Sequence, residues 1–288
     1  MHTLGMGTTG LESCFGPVRN PWNPDFIAGG SSSGSAVAVA SGMCWATLDT
    51  DAIGSCRLPS ACCGVVGFKG TYGLTDATGI LAGEQPPGED ILWLSHAGIT
   101  TRNVGDTAVV LDALVDRRGD RGVGSFVDSL NQEADFRIGV ANNARADREV
   151  LEAFEQAVET IRSLGYPIKS AAAPLTDFRK GIVDIERDRR TVADRCFKGI
   201  DLLLLPTTPT VTPRVKEAIG NPLALSPENT MFANYFGLPA VSVPCGLDKR
   251  GLPLGLQIVG RPWDERSVLG LAYRYQMASG RNKTPPLA

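Results

Sequence analysis

Gly29-Gly30-Ser31-Ser32-Ser33-Gly34-Ser35, running into Ala36-Val37-Ala38-Val39-Ala40, is the stretch on which the reading of this 288-residue chain turns. A Gly/Ser run is ordinarily a flexible linker. This one leads into small apolar residues suited to a tightly packed helix, whereas linkers border polar loops. A second segment, Thr50-Asp51-Ala52-Ile53-Gly54-Ser55-Cys56-Arg57-Leu58-Pro59, places another serine in a Gly-containing turn, 24 residues after Ser31. Two serines on turns beside buried elements suggest a site in which one hydroxyl activates the other.

Outward from that core, strand and helix signals alternate. Residues 33–43 read as a buried helix of small residues, 45–50 as a short strand and 65–69 as another. Residues 104–117 carry apolar positions at helical spacing. A strand at 137–140 feeds a helix over 147–164, with Asp147 as N-cap and Gly165 as the stop. The apolar run 201–205, ended by Pro206, is typical of a strand buried on both faces. After a Pro/Thr-rich loop, Ser226-Pro227-Glu228 reads as an N-cap with proline in the first turn, opening a helix to Phe236. Strands at 240–243 and 254–259 and a helix over 264–279 close the chain, and a frayed tail is expected from Gly280. The alternation predicts an α/β fold, one domain over 1–288 with a mixed central sheet flanked by helices.

Composition removes several function classes. The chain is 43% hydrophobic and 20% charged with a net charge of −3, an ordinary globular balance with no basic patch for nucleic acid. The first ten residues lack the basic start and apolar core of a signal peptide. No apolar run approaches the roughly 20 residues of a membrane helix. Seven cysteines, odd in number and without a C-x-x-C pair, predict free thiols in a reducing cytoplasm.

Some motifs match in letters only. Gly5-Met6-Gly7-Thr8-Thr9-Gly10 spells a dinucleotide fingerprint, but four residues cannot supply the strand it needs. Gly30-Ser31-Ser32-Ser33-Gly34 spells a nucleophile elbow, which would make Ser32 catalytic. The turn-rich 20–25 precedes it instead of a strand, and the only downstream histidine, His96, reads as a partly buried loop residue. Two histidines without paired cysteines argue against zinc. Asp184, Glu186, Asp188 and Asp194, interleaved with Arg187, Arg189, Arg190 and Arg195, read as a solvated helix face.

The set of motifs closely resembles the amidase signature family. It comprises Gly29 to Ser32, Ser55 with Arg57-Leu58-Pro59, and Cys63-Gly64-Val65-Val66-Gly67-Phe68-Lys69, preceded by Phe15 to Trp22. Leu203 to Thr207, Asn234 to Pro244 and Gly251 to Gly260 continue it in the same order. The likeness is strong over 1–115 and 200–280 and weak over 118–200, with the core motif at 29–70. It implies a carboxamide C–N hydrolase working through a Ser–Ser–Lys triad, with Ser55 as nucleophile and Ser31, on a cis peptide, as relay. Backbone amides of the turn Ala52, Ile53, Gly54 and Ser55, beside Ser32, are implied as the oxyanion-binding loop. A serine hydroxyl must hand its proton to a base, and a buried lysine of lowered pKa can accept it through a bridging hydroxyl. No cofactor and no metal are implied; the substrate is a small-molecule amide.

Three departures set further expectations. The family's lysine lies upstream of the Gly/Ser loop, yet the first lysine here is Lys69, which matches a non-catalytic position. The chain is therefore expected to be truncated or variant, with an incomplete N-terminus, marginally stable alone or dependent on a partner. Ile53 stands where the family commonly has glycine, so the turn is expected to be strained or reshaped. The span between Gly165 and Asp201 is short for the family. The competing functions are an amidase, a glutaminase subunit of a tRNA-dependent amidotransferase, and a dead paralogue that binds; homo-oligomers or amidotransferase subunits are the expected partners.

Overall fold

The structure is a computed structural model that describes residues 1–76, 89–115, 124–132, 134–175, 184–281 and 284–286. The strands are β1 (Ala46–Asp51), β2 (Val66–Lys69), β3 (His96–Thr101), β4 (Ile138–Ala141), β5 (Ile168–Ala171), β6 (Leu202–Pro206), β7 (Ala240–Leu247) and β8 (Pro253–Gly260). The helices are α1 (Ser33–Ala40), α2 (Arg57–Cys63), α3 (Glu89–Leu94), α4 (Val104–Leu114), α5 (Phe126–Ser129), α6 (Arg148–Ser163), α7 (Ile185–Cys196), α8 (Val215–Ala218), α9 (Met231–Tyr235) and α10 (Glu265–Ser279).

All eight strands form one sheet in the order β1-β3-β2-β7-β8-β6-β4-β5. Strand β4 runs parallel to both β5 and β6, and the remaining pairs are antiparallel, so the sheet is mixed as expected. The run Leu202 to Leu205 shows why its central strands carry no polar alternation. Leu202 and Leu204 join the core under α4, α6 and α10, while Leu203 and Leu205 face α7 and α9 on the other side. Side chains alternate along a strand, so a strand covered on both faces must be apolar throughout.

Several boundaries differ from expectation for identifiable reasons. Helix α1 stops at Ala40, because Gly42 turns left-handed (φ +73°) and the Met43 N–H closes on Ala38 O. The predicted helix from Pro227 starts only at Met231. Ser226 Oγ accepts the Glu228 N–H in a local turn, and the Thr230 hydroxyl is drawn into a contact with Ile53 O. His96 lies in no loop: it opens β3 and is buried opposite Asp51 of β1. The short helix α2 carries Pro59 in its first turn, where no intrahelical N–H is needed, and ends at left-handed Gly64. None of the described helices is long and apolar enough to cross a membrane.

Candidate active site

The turn that carries Ser55 is built on one carboxylate. Strand β1 ends at Asp51, whose Oδ1 accepts the Gly54 N–H at 2.8 Å and whose Oδ2 accepts the Cys56 N–H at 3.2 Å. Arg57 reaches back with two parallel bonds, Nε to Oδ2 at 3.0 Å and Nη2 to Oδ1 at 2.9 Å. Both side chains are wholly buried. Burial alone would raise the Asp51 pKa, but the Arg57 charge and hydrogen bonds outweigh it and hold the carboxyl well below the usual range.

The other end of the chain completes this cage. Arg57 also donates to Thr230 O (3.0 Å), Gln257 Oε1 (2.6 Å) and Asn234 Oδ1 (2.6 Å). Asn234 Nδ2 donates to Asp51 O at 2.7 Å and to Asp51 Oδ1 at 2.8 Å. A buried ion pair holds only when its remaining donors and acceptors are satisfied, and these contacts satisfy them. Gly54 takes the turn's left-handed position (φ +126°), where a Cβ would lie 2.3 Å from Thr230 Oγ1. Ile53 is not left-handed, and its carbonyl accepts the Thr230 hydroxyl at 2.6 Å. The strain expected at Ile53 is therefore not found; Gly54 bears the unusual conformation by itself.

The serine loop docks directly on this turn. The Gly30–Ser31 peptide is cis, and Ser32 N–H donates to Ser55 O at 3.1 Å. Ser32 Oγ donates to Thr50 O at 3.5 Å and Ser33 Oγ to Ser31 O at 3.4 Å. Ser31 Oγ is buried with no hydrogen-bond partner. The Ser55 hydroxyl has none among the described residues either, and the residue keeps 5% exposure. The amides of Ala52, Ile53 and Ser55 meet no acceptor among the described residues, whereas the Gly54 amide is committed to Asp51. The glycines at 5–10 serve close approach: His2 N–H donates to Ser31 O at 2.9 Å, and a Cβ on Gly10 would lie 2.2 Å from Ser33 Oγ.

Two buried bases lie at the same end of the sheet. Lys69 closes β2 and donates to Gly70 O (3.1 Å), Ala233 O (3.2 Å) and Leu238 O, a structural tie to the α9 loop. Burial, then the Arg57 charge, push its pKa well down. His96 hydrogen-bonds through Nδ1 to Leu94 O at 2.7 Å, and its Nε2 has no partner. Burial lowers its pKa far enough to keep the ring neutral. It lines a cavity of about 350 Å³ with Thr71, Tyr72 and Ser95. Among the described residues, no group of three or more His, Cys, Asp or Glu side chains could hold a metal. The sequence points to the two serines and the turn but not to the roles of Asp51, Asn234 and Gln257; Asn234 stands inside one of the quoted motifs without any sign of its partners.

Comparison with known proteins gives the family of the chain. The Amidase family model matches in two stretches, residues 1–183 and 176–269, which meet at 176–183. The fatty acid amide hydrolase of Arabidopsis thaliana is 33% identical over 352 aligned positions, covering 100% of this chain and 58% of that protein. The A-type subunit of the Brevibacillus brevis glutamyl-tRNA(Gln) amidotransferase is 30% identical, covering 97% of this chain and 72% of that protein. The crystal structure of the corresponding Thermotoga maritima protein superposes with a TM-score of 0.80 at 26% identity, over 99% of this chain and 74% of that one. The chain thus spans just over half of the plant relative. Its 288 residues meet 352 aligned positions, an excess of 64 on the relative's side. The chain is a member of the amidase signature family.

Proposed function

We propose that this chain cleaves the C–N bond of a small carboxamide through an acyl-enzyme on Ser55, with Ser31 as relay. One observation carries the choice of serines: among the three consecutive serines 31–33, only Ser31 has a buried hydroxyl left without a partner. Ser55 Oγ attacks the carbonyl carbon while its proton moves, by way of the Ser31 hydroxyl, to the departing nitrogen. The two hydroxyls make no hydrogen bond in the free chain, so the transfer requires them to close together around the substrate. The developing oxyanion is met by the free amides of Ala52, Ile53 and Ser55, fixed in place by the Asp51 cage. The C–N bond then breaks, the amine leaves with a proton, and water releases the acid.

Lys69, held by three carbonyls, is not the base of this relay. An amide needs a proton on its departing nitrogen, whereas activated esters and fluorophosphonates do not, so these are expected to react with Ser55 faster than simple amides. The test is labelling by a fluorophosphonate probe: Ser55→Ala abolishes it and Ser32→Ala does not. Labelling that survives Ser55→Ala ends the assignment.

A second reading follows from the likeness to the A-type amidotransferase subunits. Glutamine carries a carboxamide, so a glutaminase subunit would use the same groups; co-purification with amidotransferase subunits distinguishes it from a free-standing amidase or a homo-oligomer. Unreactive Ser55 with retained ligand binding would instead indicate a binding paralogue. The unpaired thiols, four of them buried, support a cytoplasmic setting.

A further inference from the structure

Helix α7 begins just past the junction where the family match breaks, and most of its charged residues face solvent. Asp188, which accepts from Tyr235 Oη, and Arg189 are turned inward; Arg189 makes the more extensive contacts. Its Nε donates to Tyr235 O at 2.8 Å, and its Nη2 donates to Asn234 O at 3.1 Å and Trp93 O at 2.5 Å. The guanidinium lies 4.0 Å from the centre of the Tyr72 ring. No carboxylate within ion-pair distance neutralises it among the described residues. Burial pushes its pKa down, so holding a cation there works against desolvation.

What it holds is the C-terminus of α9, a helix of only five residues. The last carbonyls of any helix lack intrahelical donors, and a cation there satisfies them and the dipole together. Asn234 is gripped on both sides. Its backbone carbonyl takes Arg189, while its side chain binds Asp51 and Arg57. Asp51 in turn fixes the Gly54 amide one residue before Ser55. We infer that Arg189 is a positioning residue for the nucleophile turn, acting through Asn234 and Asp51 rather than touching the reacting atoms. This rests on Ser55 being the nucleophile.

Tyr235→Phe supplies the control. It removes the bond from Tyr235 Oη to Asp188, at 2.9 Å, between the same two helices but without a link to Asn234. The primary measurement is hydrogen exchange at the Gly54 and Cys56 amides by NMR, with fluorophosphonate labelling rate and thermal midpoint alongside. Arg189→Ala is expected to speed exchange at both amides about tenfold and to slow labelling comparably, with Arg189→Lys in between. Tyr235→Phe should leave both within about twofold, whatever it does to the midpoint. Unchanged Gly54 exchange in Arg189→Ala and Arg189→Lys overturns the inference, as does equal acceleration in Tyr235→Phe. If exchange moves as expected while wild-type Ser55 takes no label, the positioning stands and the nucleophile assignment falls.

Discussion

Two arginine–aspartate forks of nearly identical geometry sit in opposite halves of the sheet. Arg57 meets Asp51 at 3.0 and 2.9 Å beside the serines, and Arg137 meets Asp201 at 2.9 and 2.7 Å between β4 and β6. The first pair is fully buried; in the second the arginine side chain is 55% exposed. Geometry is therefore not what separates them. In the buried pair each partner cancels a charge that water cannot reach, so neither can be removed alone. In the exposed pair water substitutes for either partner, and hydrogen bonding from Arg137 merely keeps the Asp201 pKa low.

The contrast is tested most severely by Asp51→Ala, which strands the Arg57 guanidinium. A loss of about 3–5 kcal/mol in urea unfolding is expected, enough to prevent folding if the parent is of ordinary stability. A loss as small as that of a surface substitution would mean the pair is not desolvated. Next comes glycine chemistry in the two halves. Gly54→Ala forces a Cβ onto Thr230 and should destabilise by about 1–3 kcal/mol. Gly165→Ala, after α6, has a left-handed φ of +90° but open space around it. It should lose only the backbone part, about 1 kcal/mol, in the same assay.

A third effect depends on pH. His96 is buried neutral with its pKa lowered, so the unfolded chain takes up the proton first as pH falls below about 6.5. Stability contributed by neutral His96 is present above that value and drains away beneath it, by up to about 1.4 kcal/mol per pH unit. His96→Asn should flatten this limb when unfolding midpoints at pH 7.5 and 5.5 are compared; an unaltered slope would assign it to other groups. Smallest is Arg137→Ala, which should shift the thermal midpoint by no more than replicate scatter. A clear drop there would erase the distinction between the forks.

Legibility in the sequence follows the same division. The serines can be read because local composition announces them: Gly/Ser turns next to small apolar runs have few alternative uses. Strand β6 is legible from its unbroken apolar stretch, β8 from an apolar stretch interrupted by Gln257, and α6 from its period and flanking Asp147 and Gly165. Strand β3 escapes such a reading because His96-Ala97-Gly98-Ile99-Thr100-Thr101 offers neither an apolar run nor clean alternation; its burial comes from β1 and β2 on either side. The cage escapes it because it is non-local. Nothing near Asp51 reveals that Asn234 and Gln257 will arrive beside it, and Arg189 looks like one more charge on a wet helix.

The long reach of Arg57, whose guanidinium bonds Gln257 at a distance of 200 residues along the chain, bears on the order of events during synthesis. A ribosome delivers the turn's amides early and its anchors last, and a contact cannot form before both ends have emerged. Until β8 leaves the exit tunnel, the nascent protein carries Ser55 on a turn whose anchors are still missing. The cage around Asp51 therefore closes late, when β8 joins it.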